Sequence, residues 1–82
     1  MADYAPPTKR SVLIAGHATS ISLEPAFWAA LEKIARERGL PINAIVAEVD
    51  AARLEARQPP NLTSALRQWL FETCSADSRD DS

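Results

Sequence analysis

The 82-residue chain predicts a mainly α domain led by a short β-strand or hairpin, with two core helices and a third, C-terminal helix behind it. Three observations predict this. Thr19-Ser20-Ile21-Ser22-Leu23-Glu24 alternates polar and apolar residues with a period of two, and the pattern turns helical at Pro25. Three apolar stripes at three- and four-residue steps follow, separated by Gly39 and by Pro59-Pro60. The packable segment, residues 9–74, is small enough to be marginal alone, so pairing between two copies is expected.

Ser11-Val12-Leu13-Ile14 is a short run rich in β-branched residues, closed by Ala15-Gly16-His17-Ala18. Gly16 can supply a turn that folds this run back on Thr19–Leu23 as a hairpin. The alternative is one long, bent strand over residues 11–23; the hairpin is preferred. Within Thr19–Leu23, Ile21 and Leu23 point one way and Ser20 and Ser22 the other. A lone strand leaves its backbone groups unpaired, and even a two-stranded ribbon is marginal. The expectation is therefore that this strand pairs with its own copy across a two-fold axis.

The first helix is expected over Pro25–Arg38. Pro25 suits the first helical position, and Glu24 lies at the positive end of the helix dipole. Phe27, Leu31, Ile34 and Ala35 form the stripe, widened by Trp28, and Gly39 supplies the left-handed cap. Leu40-Pro41 makes a corner. The second helix starts at Pro41 or Ile42 and reaches about Ala56, with Ile42, Ile45, Val46, Val49 and Ala52 on one face. Gln58-Pro59-Pro60 ends it. Asn61 or Thr63 caps a third helix through about Thr73, striped by Leu62, Ala65, Leu66, Trp69 and Leu70. Residues 1–8 and 75–82 are expected to be disordered tails flanking a single domain at 9–74.

The formal charge is −2, but residues 9–74 carry eight Lys and Arg against seven Asp and Glu, a balance of +1. Nucleic-acid binding must then come from local placement of Lys9-Arg10 and of helix termini, not from a strongly basic surface. The single cysteine, Cys74, suits a reducing compartment. No apolar run approaches the roughly 18 residues that span a bilayer, so a cytoplasmic protein without a membrane partner is expected. His17 is the sole histidine and Cys74 stands alone, which argues against a metal centre. Nothing sets a base beside a nucleophile, so neither catalysis nor a cofactor is expected.

Lys9-Arg10-Ser11-Val12, Ala15-Gly16-His17, Thr19-Ser20-Ile21-Ser22-Leu23-Glu24, Phe27-Trp28 and Asn43-Ala44-Ile45-Val46-Ala47-Glu48 together resemble short bacterial ribbon-helix-helix proteins, as does Asn61-Leu62-Thr63-Ser64-Ala65-Leu66-Arg67. The resemblance runs from Lys9 to about Glu72. It implies an intertwined homodimer in which one strand from each subunit pairs antiparallel and the ribbon enters the major groove of double-stranded DNA, as in a transcriptional repressor. By position, Ala18, Ser20 and Ser22 face base edges, while Thr19, Ile21 and Leu23 face the core. Lys9, Arg10, His17 and the start of the second helix at Ile42 and Asn43 contact phosphates. Ile21, Leu23, Phe27, Trp28, Leu31, Ile45 and Val49 form the dimer core.

Two positions depart from that pattern. Ala18 stands where relatives often carry Arg, the side chain best suited to guanine, and Pro41 stands where Ser is frequent. These departures, with the near-neutral charge, motivate a second expectation: an antitoxin-like adaptor that keeps the dimer fold and holds a partner protein through its C-terminal helix. Each site residue also has an ordinary reading. Ser20 and Ser22 can be solvent-facing strand residues, Lys9-Arg10 a solubilising pair, His17 an exposed turn residue, and Trp28 and Trp69 packing residues and not stacking platforms.

Overall fold

The structure, a computed structural model, describes residues 5–80. Strands β1 (Thr8–Ile14) and β2 (His17–Leu23) are followed by helices α1 (Pro25–Arg38), α2 (Ile42–Leu54) and α3 (Leu62–Asp80). The two strands pair antiparallel, with Thr8 opposite Leu23 and Ile14 opposite His17. The hairpin is therefore formed within one chain, and the expected strand has a partner without a second copy. The turn is Ala15-Gly16, with φ of 51° and 82°. Both values are left-handed, as in the mirror-image type I′ turn whose twist matches paired strands. Gly16 adopts this freely, whereas Ala15 carries a Cβ into a region that disfavours it. Ala15→Asn is accordingly expected to stabilise the chain by about 0.5–1 kcal/mol, read as a rise in the urea midpoint at unchanged slope.

Alternation divides the hairpin into two faces. Val12, Ile21 and Leu23 point at the helices and are buried. The other face, built from Lys9, Ser11 and Leu13 on β1 and Ala18, Ser20 and Ser22 on β2, has no helix over it and is mostly exposed, with Ser22 half-buried.

α1 matches its expected span. Pro25 opens it, and Gly39 (φ 67°) closes it in the left-handed conformation. Gly39 N–H donates to the Arg36 carbonyl at 3.2 Å and Leu40 N–H to the Ala35 carbonyl at 2.9 Å, satisfying two end carbonyls. α2 stops at Leu54, two positions short of the expected end, and Glu55 and Ala56 add only three-residue turn bonds. α3 is capped by Asn61, whose Oδ1 accepts the Ser64 N–H at 2.8 Å. It continues to Asp80, past the expected end at Thr73. Ala76, Asp77, Ser78 and Arg79 include neither Gly nor Pro, and extending an existing helix is far easier than starting one. Of the expected N-terminal tail, residues 1–4 lie outside the described residues and Thr8 already belongs to β1.

One core lies between the hairpin and the three helices: Val12, Ile21, Leu23, Trp28, Leu31, Ile34, Ala35, Ile45, Val46, Val49, Ala65, Leu66 and Leu70. Each large aliphatic side chain fully buried here contributes about 1.5–3 kcal/mol. Of the residues expected in a dimer core, Ile21, Leu23, Trp28, Leu31, Ile45 and Val49 are buried within a single chain, and Phe27 is half-buried. Ala65, Leu66 and Leu70 of α3 complete the enclosure from within the same chain. α2 lies against β1, and α3 against α2, α1 and β2.

Candidate nucleic-acid interface

The outward face of the hairpin follows from turn length. A two-residue turn fixes the register, setting Lys9 opposite Ser22, Ser11 opposite Ser20 and Leu13 opposite Ala18. These six side chains form two rows on one surface. Lys9 makes no ion pair among the described residues. Alternation names Ser20 and Ser22, the basic pair includes Lys9, and the family resemblance adds Ala18; none of these reaches Ser11 or Leu13. The signal was present, since counting back across Ala15-Gly16 puts both on the same face as the serines of β2.

The ladder also decides which edge is open. In an antiparallel pair, each residue's N–H and C=O point alternately toward and away from the neighbouring strand. Leu13 N–H donates to Oδ1 of Asn43 on α2 at 3.2 Å, so it points away from β2. Its cross-strand partner Ala18 therefore points its own backbone groups away from β1. By the same alternation so do Ser20 and Ser22. The free edge of β2 thus presents the N–H and C=O of Ala18, Ser20 and Ser22, with no partner strand among the described residues. The opposite edge, along β1, is held by α2 at Leu13.

Lys9 and Arg10, adjacent in sequence, separate. Arg10 turns toward the helices, where its guanidinium lies 4.7 Å from the Trp28 ring centroid and 3.3 Å from Glu32. Stacking on the indole and pairing with a carboxylate hold it there. Trp28 is anchored in turn, its Nε1–H donating to the Thr8 carbonyl at 2.8 Å. His17 lies exposed at the hairpin tip, on the same strand parity as Thr19 and Ile21 and so on the helix-facing side. Ile42 and Asn43 open α2, where Pro41 is the cap residue and, among the described residues, no side chain caps the helix. The earliest N–H groups of α2 are thus left for solvent or an anion. The side chain of Asn43 is already committed to Leu13.

Glu24 joins the end of β2 to α3. Arg67 Nε and Nη2 reach Glu24 Oε1 at 3.1 and 3.0 Å, and Nη2 reaches Oε2 at 3.0 Å. A backbone hydrogen bond at Glu24 itself lowers its carboxyl below the ordinary glutamate value; partial burial opposes this and the Arg67 bridge adds to it. A carboxyl lowered in the folded chain stabilises the fold above its ordinary value, and that contribution fades as pH falls through the lowered one. Arg67→Met should therefore lower the melting temperature near neutrality, and the gap from the parent chain should narrow as pH falls below the ordinary carboxylate range. A gap of constant size across that range would show that the bridge does not titrate with Glu24.

Among the described residues no group of three or more His, Cys, Asp and Glu gathers as a metal site. No described helix is long and apolar enough to cross a membrane. The family model described as the ribbon-helix-helix domain matches residues 7–74. No curated protein and no solved structure matches the chain significantly.

Proposed function

The chain belongs to the ribbon-helix-helix domain family, and from that premise we propose that it is a dimeric, DNA-binding transcriptional regulator, acting as a repressor. Two copies pair along their free β2 edges, giving a four-stranded sheet in the order β1, β2, β2, β1. The two central strands enter the major groove, which is about 12 Å wide and admits a two-stranded ribbon. At about 4.8 Å between strands, each β1 then lies toward the groove wall. Ser20 and Ser22 meet base edges. Lys9 and the uncapped start of α2 at Ile42 and Asn43 meet phosphates. Arg10 and His17 lie on the helix-facing side and contribute less.

The observation that carries this reading is the pairing of a small-residue face with an adjacent unpaired strand edge on one hairpin. Neither feature serves the fold of a single chain. Open, flat edges invite pairing with another strand. In the two outward rows of the hairpin, Lys9 is the one basic side chain. The electrostatic component is consequently small, and two Lys9 side chains give a log–log salt slope of about −2. A fluorescence anisotropy titration of labelled duplex DNA over a salt series tests this. Salt-dependent binding by a dimer supports the reading, and its absence at micromolar protein contradicts it.

A second reading draws on the groove between α1 and α3. Ala26, Phe27, Ala30, Leu70, Phe71 and Cys74 line an open groove of about 710 Å³ between α1 and α3, and Phe71 is 72% exposed. An adaptor would seat a partner protein there. Phe71→Asp would abolish partner capture under this reading and leave DNA binding intact under the first.

A further inference from the structure

We propose that Leu13 and Ala18 form a thymine-reading step: a paired apolar contact that seats the C5-methyl group of one thymine in the major groove. This rests on the groove reading proposed above and specifies what that face recognises.

The outward rows carry Lys9, Ser11, Ser20 and Ser22, and only Leu13 and Ala18 are apolar. A hydroxyl accepts and donates, so serine can satisfy any base pair and selects poorly between them. Leu13 and Ala18 have no such freedom. They lie directly opposite each other in a pair of the non-hydrogen-bonded kind, the geometry that brings side chains closest. Leu13 is 55% exposed although it is large and apolar. The single methyl of Ala18 leaves a notch beside the isobutyl group of Leu13. In the major groove, thymine alone among the four bases offers a methyl group to fill such a notch.

A second observation fixes where this step sits. The Leu13 N–H is bonded to the Asn43 side chain at 3.2 Å, which ties this strand position to the uncapped start of α2. A phosphate held by α2 would place the adjoining base pair at the hairpin tip. Leu13 and Ala18 are the outward residues nearest that tip.

The test uses the full chain and a duplex selected by it from random DNA. Each thymine is replaced in turn by deoxyuridine, which lacks only the methyl group. Binding should weaken about fourfold at one position per half-site, the value of one buried methyl-sized group. Leu13→Ser should bind the thymine and uracil duplexes equally, whereas Leu13→Thr, which keeps a methyl, should retain part of the preference. Circular dichroism checks that both variants stay folded. Salt-dependent binding that is indifferent to every thymine methyl would overturn this inference and leave the proposed function standing. The same would follow from a methyl preference that survives unchanged in Leu13→Ser. If no duplex is bound in a salt-dependent manner, both fall together.

Discussion

A Ser20→Pro chain should fold as a monomer and lose salt-dependent binding to duplex DNA. Proline removes one backbone N–H and is tolerated on a strand only where that N–H faces away from the ladder. Ser20 is such a position, because alternation from the Leu13–Asn43 bond points its N–H away from β1. The intrachain hairpin therefore keeps its bonds, at the cost of some local backbone strain. Pairing between two β2 edges loses its central donor and meets the pyrrolidine ring. DNA affinity should drop by about two orders of magnitude or more, since a monomer offers half the contacts and loses the gain from linking two half-sites. Sedimentation with circular dichroism reads fold and assembly, and anisotropy reads binding. A folded Ser20→Pro dimer with parental affinity would refute pairing through this edge.

Trp28→Ala should leave the chain largely unfolded at room temperature. The indole is 1% exposed, its N–H bonds the Thr8 carbonyl, and Arg10 stacks on its face. Truncating a buried aromatic to alanine typically costs about 3–5 kcal/mol, and loss of the indole hydrogen bond to the Thr8 carbonyl adds about 1 kcal/mol. Domains are stable by only about 5–15 kcal/mol, and one this short belongs near the lower figure. Trp28→Phe separates the contributions: it keeps most of the apolar volume, loses the hydrogen bond, and should remain folded at about 1–2 kcal/mol below the parent. Urea unfolding followed by circular dichroism measures both. A Trp28→Ala chain as stable as the Phe variant would mean that the indole does not organise the core.

Residues close in sequence were the legible part of the fold. Pro25 and Gly39 bracket α1 because each acts through its own backbone angles. Asn61 caps α3 through a residue three positions on. The alternation of Thr19–Leu23 assigned Ile21 and Leu23 to the core and Ser20 and Ser22 to the outer face. The site was only half legible. Lys9 and Arg10 read as one basic pair, yet a strand sends neighbours to opposite faces, and Arg10 found Trp28 and Glu32 on the inner one. Ser11 and Leu13 were missed because their side follows from the register of the turn, which the residues of β1 alone do not reveal.

By itself the sequence determined the order and apolar faces of the helices and the two faces of Thr19–Leu23, because capping and hydrophobic period are set within a few residues. Only the tertiary structure decided that β2 pairs with β1 of its own chain, that α3 closes the core, and that Arg67 belongs to Glu24, 43 positions away. Those choices depend on which distant surfaces exclude water together, a property of the packed whole that no local pattern encodes.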